Sequence, residues 1–73
     1  METATPTVLW RLIKVPGEHA RAVILPGGPP YTLAFFSDDQ MDRVENFEAL
    51  EIALFRADEI RRSLMDDGFV EDQ

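Results

Sequence analysis

Cysteine is absent from the 73 residues, histidine, tryptophan and tyrosine occur once each, and seven basic side chains stand against fourteen acidic ones. Each shortage excludes something. Without cysteine there is no disulfide, no thiol nucleophile and no thiolate zinc site, a composition that fits a reducing compartment. With a formal charge of −7, the chain lacks the cationic footprint that offsets nucleic-acid phosphates. Nucleic acid is not an expected partner. Long apolar runs are missing too, because the longest uncharged stretch, Ala22 to Ser37, is broken by Pro26, Gly27, Gly28, Pro29 and Pro30 and cannot make a continuous membrane helix. Near the start, Glu2 precedes an apolar run that contains Arg11 and Lys14, the wrong order for a secretion signal. These absences predict a soluble, cytoplasmic protein without a membrane partner.

What is present is ordinary globular composition, 45% hydrophobic and 29% charged. A domain of this size hides only about 60% of the surface its unfolded chain exposes, so self-association is one route to further burial. Charge is unevenly placed. Residues 1–37 sum to +1 and residues 38–73 to −8, so the second half carries the whole acidic excess.

Pattern and punctuation divide the chain. Val8–Val15, His19–Leu25 and Tyr31–Ser37 are rich in β-branched and aromatic residues and read as strands. Val15-Pro16-Gly17-Glu18 is a hairpin signal, with Pro presetting the second turn position and Gly permitting positive φ at the third. Pro26 to Pro30 makes a stiffer connection. A polar turn at Ser37-Asp38-Asp39-Gln40 returns the chain into a short fourth strand, Met41–Asn46. Counting from these turns places Val8, Trp10, Leu12, Val23, Leu25, Tyr31, Leu33, Phe35 and Val44 on one core face. Arg11, Arg43 and Glu45 then share the opposite face with the apolar Leu9, Ile13, Ile24 and Phe36.

From about Glu48 to Asp67 the period changes to 3.6, with Leu50, Ala53, Leu54, Ala57, Ile60 and Leu64 forming one stripe. This predicts an amphipathic helix. Glu48 and Glu51 suit its positive end, Asp58 and Arg62 make a four-residue ion pair, and Gly68 supplies a left-handed stop onto which Phe69 can fold back. Asp66 and Asp67 oppose the dipole, so the end of the chain is expected to fray. The reading is a single α+β domain over 1–73, a three- or four-stranded antiparallel β-meander packed on one C-terminal α-helix, with flexible tails at about 1–6 and 70–73.

Trp10-Arg11-Leu12, the run Tyr31 to Phe36, and Ala53-Leu54, Ala57, Ile60-Arg61, Leu64 and Gly68-Phe69 resemble small uncharacterised bacterial proteins built as a β-meander with a C-terminal helix. That resemblance implies a fold and no activity.

Chemistry-bearing motifs are few. Asp38-Asp39-Gln40-Met41-Asp42 spells the DDxxD string that holds magnesium and diphosphate in isoprenoid enzymes, but those need a large helical cavity that this chain is too short to build. As a calcium loop it fails because Arg43 stands where the tight turn needs Gly. His19 lies beside a hairpin turn, and neither Ser37 nor Ser63 sits in a nucleophile-elbow sequence. Gly27 and Gly28 are followed by no Lys-Ser/Thr and by a strand, so they connect rather than cradle phosphate. The acid pairs Glu48 with Glu51 and Asp66 with Asp67 read as solvated helix ends. No catalytic, cofactor-binding or metal-binding residue is assigned, and an enzyme is not expected.

The exception to a well-sorted pattern is apolar. Ile52 and Phe55 fall about 140–200° from the middle of the core stripe at a hundred degrees per residue. Together with Leu9, Ile13, Ile24 and Phe36 they predict contact surface for a protein partner or a second copy in a homodimer. An acidic protein that mimics nucleic-acid charge toward a basic target is the alternative, and a minor metal-dependent enzyme using His19 with Asp38, Asp39 or Asp42 is a third reading.

Overall fold

The computed structural model describes residues 5–72, and of the tails expected at either end residues 1–4 and 73 lie outside them. Four strands follow one another as a meander: β1 Thr7–Lys14, β2 Glu18–Ile24, β3 Tyr31–Ser37 and β4 Gln40–Phe47. Helix α1, Leu50–Asp66, crosses one face of the sheet, and a two-residue strand β5, Val70–Glu71, closes the chain. The sheet order is β4-β3-β2-β1-β5, antiparallel throughout. This is the expected α+β architecture with a fifth strand added where the sequence reading expects a flexible end.

Turn length decides which side chains reach the helix. Lys14 pairs with Glu18, so the first hairpin loop takes three residues, Val15 to Gly17, rather than the two residues Pro16 and Gly17. Gly17 does not use the positive φ available to it. The parity of β2 therefore shifts by one, and a one-residue slip moves every side chain to the other face. Ala22, not Val23, stands beside Trp10 and Phe35, while Val8, Val23, Ala34 and Val44 form a row on the side away from α1. A bulge between Val8 and Trp10 also turns Leu9 toward the core. Arg43 and Glu45, expected on the open face, pair with Phe35 and Leu33 and so lie on the helix side.

The third turn works differently. Asp38 and Asp39 both adopt left-handed φ, 51° and 68°, as a two-residue loop between the paired Ser37 and Gln40. This is the turn whose twist matches a hairpin, and short polar Asp tolerates it better than a branched residue. The Asp38 carboxylate accepts the His19 amide at 3.0 Å, and the Asp38 amide donates to the His19 carbonyl at 2.9 Å.

The helix meets the sheet through small residues. Ala53 and Ala57 are buried, Ile60 and Leu64 half-buried, and the cluster that Ala57, Ile60 and Leu64 join is built on Trp10, Leu12, Leu33, Phe35 and Phe69. An alanine at each central contact lets the backbone approach closely enough for the Trp10 indole Nε1–H to donate to the Ala57 carbonyl at 3.0 Å. Trp10 also lies 6.3 Å from Phe35, ring to ring, at 40°.

At its other end α1 stops as the glycine predicts. Gly68 has φ +110°, its amide donates to the Met65 carbonyl at 3.1 Å, and the Phe69 amide donates to Leu64 at 3.0 Å, the paired bonds of a Schellman motif. Phe69 is driven into the core, which commits the next two residues to pair with Leu12 and Ile13, and the Asp72 amide reaches the Arg11 carbonyl. Lys14 answers the dipole mismatch of the last turn. Its ammonium lies 3.5 Å from Asp67 and 5.7 Å from the centre of the Phe69 ring.

Two substitutions test this seat. Ala57→Leu forces the helix off the sheet and is expected to destabilise by about 1–3 kcal/mol. Trp10→Phe removes the indole donor and part of the ring, an expected loss of about 1–3 kcal/mol. For a domain this small each kcal/mol lowers the thermal midpoint by about 4–8 °C, so unchanged melting curves would show that the helix rests elsewhere.

Candidate protein interface

The six residues singled out as contact surface occupy three places. Leu9 and Ile24 are on the helix side of the sheet, packed against the core cluster, so the expectation that they lie on the sheet back is corrected by the bulge and by the hairpin parity. Ile13 and Phe36 do lie on the face away from α1, both half-buried. The Arg21 guanidinium covers the Phe36 ring at 4.2 Å and holds Asp39 at 2.6 Å. Ile52 and Phe55 are on the outside of α1.

Those last two are open, at 53% and 66% exposure. Leu50 and Leu54, which the stripe places inward, are each 42% exposed as well. The cause is the narrowness of the seat: the residues facing the sheet squarely are Ala53 and Ala57, and larger side chains a quarter-turn away fall on the margins. Leu54 borders a shallow hollow of about 280 Å³ with Leu9, Trp10 and Arg61. The first two helical turns are consequently apolar on three sides.

The sheet face away from α1 is less greasy than its sequence suggests. Val23 and Ala34 are buried there although no described helix or strand lies over them, because a small residue between larger neighbours is sealed by their side chains. Exposure moves outward to the β4 edge, where Val44 is 45% and Met41 53% accessible. Sequence periodicity missed both, since it assigned Val44 to the core and the bulge between Phe35 and Phe36 sets Met41 opposite Phe36.

A second concavity, about 610 Å³, lies along Arg11, His19, Arg21, Phe36, Asp38, Asp39 and Asp72. Its charges are mixed. Asp38 and Asp39 are engaged by the turn and by Arg21, and among the described residues no three metal-ligating side chains converge.

Ion pairs tie the layers together. Arg56 of α1 forks onto Glu45 of β4, Nε to Oε1 at 3.0 Å and an Nη to Oε2 at 3.3 Å, while Arg43 approaches the same carboxylate at 3.4 Å. Asp58 pairs with Arg62 at 2.9 Å, as the four-residue spacing predicts, and with Arg61 at 3.2 Å. Arg61 extends to Glu71 on β5 at 2.8 Å.

No family model matches this chain, and neither a curated protein nor a solved structure is found similar to it. Among the described residues no helix is long and apolar enough to cross a membrane.

Hydrogen bonding from Arg56 holds the Glu45 carboxyl below its ordinary range, aided by the charges of Arg56 and Arg43 against the opposing effect of burial. Because the folded-state value is depressed, this stabilisation is complete above the ordinary carboxylate range and is lost as pH falls through the lowered value. Glu45→Gln is therefore expected to melt below the parent protein at neutral pH and to converge with it in strong acid. A gap that persists unchanged into acid would separate the loss from ionisation.

Proposed function

We propose that this chain is a small cytoplasmic interaction module that works as a homodimer rather than as an enzyme. The observation that carries the reading is the pair Ile52 and Phe55, two large apolar side chains three residues apart on the outside of the helix, with Leu50 and Leu54 beside them. Isolated exposed apolar residues are normal, but a contiguous group on an otherwise charged helix supports a contact surface. The size of the domain adds to the case, since a core built around alanines leaves little buried area per residue and association supplies more. The acidic excess keeps the free chain soluble.

Sedimentation or light scattering from micromolar to millimolar protein tests the proposal. The expected result is a rise toward dimer mass that survives high salt, as apolar contact does, and that Ile52→Ser combined with Phe55→Ser pushes to higher concentration while the far-ultraviolet circular dichroism stays unchanged. A monomer at every concentration rejects self-association.

A further inference from the structure

We infer that the second copy docks along β4, edge to edge and antiparallel, so that two five-stranded sheets continue into one with both helices on the same side; the inference rests on the self-association proposed above. The sheet has two edges and they differ. On one side the two-residue β5, followed by Asp72, covers β1 from Arg11 to Ile13, and the bulge between Val8 and Trp10 breaks the regular edge of β1 before it, a short and irregular edge of the kind that resists pairing. On the other side β4 runs for eight residues, Gln40–Phe47, without proline and with Val44 and Met41 exposed. Beyond the bulge at Asp42, the stretch from Arg43 to Phe47 leaves a regular row of backbone donors and acceptors directed away from β3.

The β4 sequence is self-complementary in one register. With Val44 opposite Val44 of the second copy on the two-fold axis, Arg43 stands opposite Glu45 and Glu45 opposite Arg43, and directly opposed residues of an antiparallel pair share a face. Centring on Arg43 or on Glu45 sets like charges against each other. Centring between Arg43 and Val44 opposes Asp42 to Glu45 and turns the two helices to opposite sides. Among the symmetric registers that overlap most of β4, the Val44 register is thus the one in which apolar meets apolar and each cation meets an acid, and opposed like charges are destabilising.

The helix extends the same seam. Arg56 reaches Glu45, so the side of α1 bearing Arg56 looks toward β4, and Ile52 lies one turn earlier on that side. In a chain of charge −7, the strip formed by Arg43, Glu45, Arg56 and Glu59 is balanced, two cations against two acids. A second copy can approach there without setting acid against acid. Val44 and Ile52 then gain apolar cover from their counterparts.

The test uses the full chain. Arg43→Glu sets acid against acid on both sides of the axis, and Glu45→Lys sets cation against cation, so each variant alone is expected to dimerise at least about tenfold more weakly than the parent. Mixed in equal amounts the two variants are complementary, and a heterodimer of parental mass is expected, read by native mass spectrometry. Because Glu45→Lys also loses its bond to Arg56, Val44→Lys serves as a second disruption at a position 45% exposed on the sheet edge, with circular dichroism confirming the fold. A parent that dimerises equally well with Arg43→Glu or Val44→Lys, and no gain on mixing, overturns the β4 seam while leaving self-association through another surface. A parent that never dimerises overturns both.

Discussion

The helix can sit on this sheet only because alanine occupies its central contacts, and the bond from the Trp10 indole to the Ala57 carbonyl registers that closeness. A single helix must cover the apolar side chains of three strands. Large residues at its inner face would raise it and expose Leu12, Leu33 and Phe35, whereas alanines lower it and let the sheet supply the bulk. Trp10 is the largest side chain of that core, and its one polar atom finds a partner in the layer above. Among the described residues no buried side-chain nitrogen or oxygen is left without one.

Closeness at the centre has a consequence at the margins. A helix seated on two alanines buries a narrow stripe, so Leu50, Ile52, Leu54 and Phe55 remain accessible around its first two turns. The same economy shapes the sheet, where Val23 and Ala34 are sealed within their own row and exposure gathers at Met41 and Val44 on the outer strand. Exposed apolar surface in this molecule is thus a by-product of how its core is packed. Charge then divides that surface. Arg43 and Arg56 with Glu45 and Glu59 form a balanced strip beside apolar side chains, while the rest of the second half is predominantly acidic.

The termination of α1 shows local chemistry overruling a broader expectation. Two aspartates at the negative end of the dipole argue for fraying, yet Gly68 closes a Schellman motif, Phe69 is buried, and Lys14 reaches across from β1 to Asp67. A buried aromatic outweighs an exposed dipole mismatch worth about 0.3–1 kcal/mol. Once Phe69 is held, Val70 and Glu71 lie beside β1 and pair with Ile13 and Leu12 at little additional entropy.

Composition and period by themselves determined the order of the four meander strands and the helix, the helix's inner alanines and stopping glycine, the Asp58 to Arg62 pair, and the outward direction of Ile52 and Phe55, because each depends on residues close in sequence. The face of each strand was decided by tertiary structure. Whether the first loop takes two residues or three changes nothing in the sequence pattern yet sends Val23 to one side and Ala22 to the other, and bulges at Leu9 and near Phe36 add further slips. For the same reason Leu9 and Ile24 read as surface and fold as core neighbours, while Val44 reads as core and folds as edge. Alternation reports that two faces differ. Only pairing between distant strands says which of them the helix will cover.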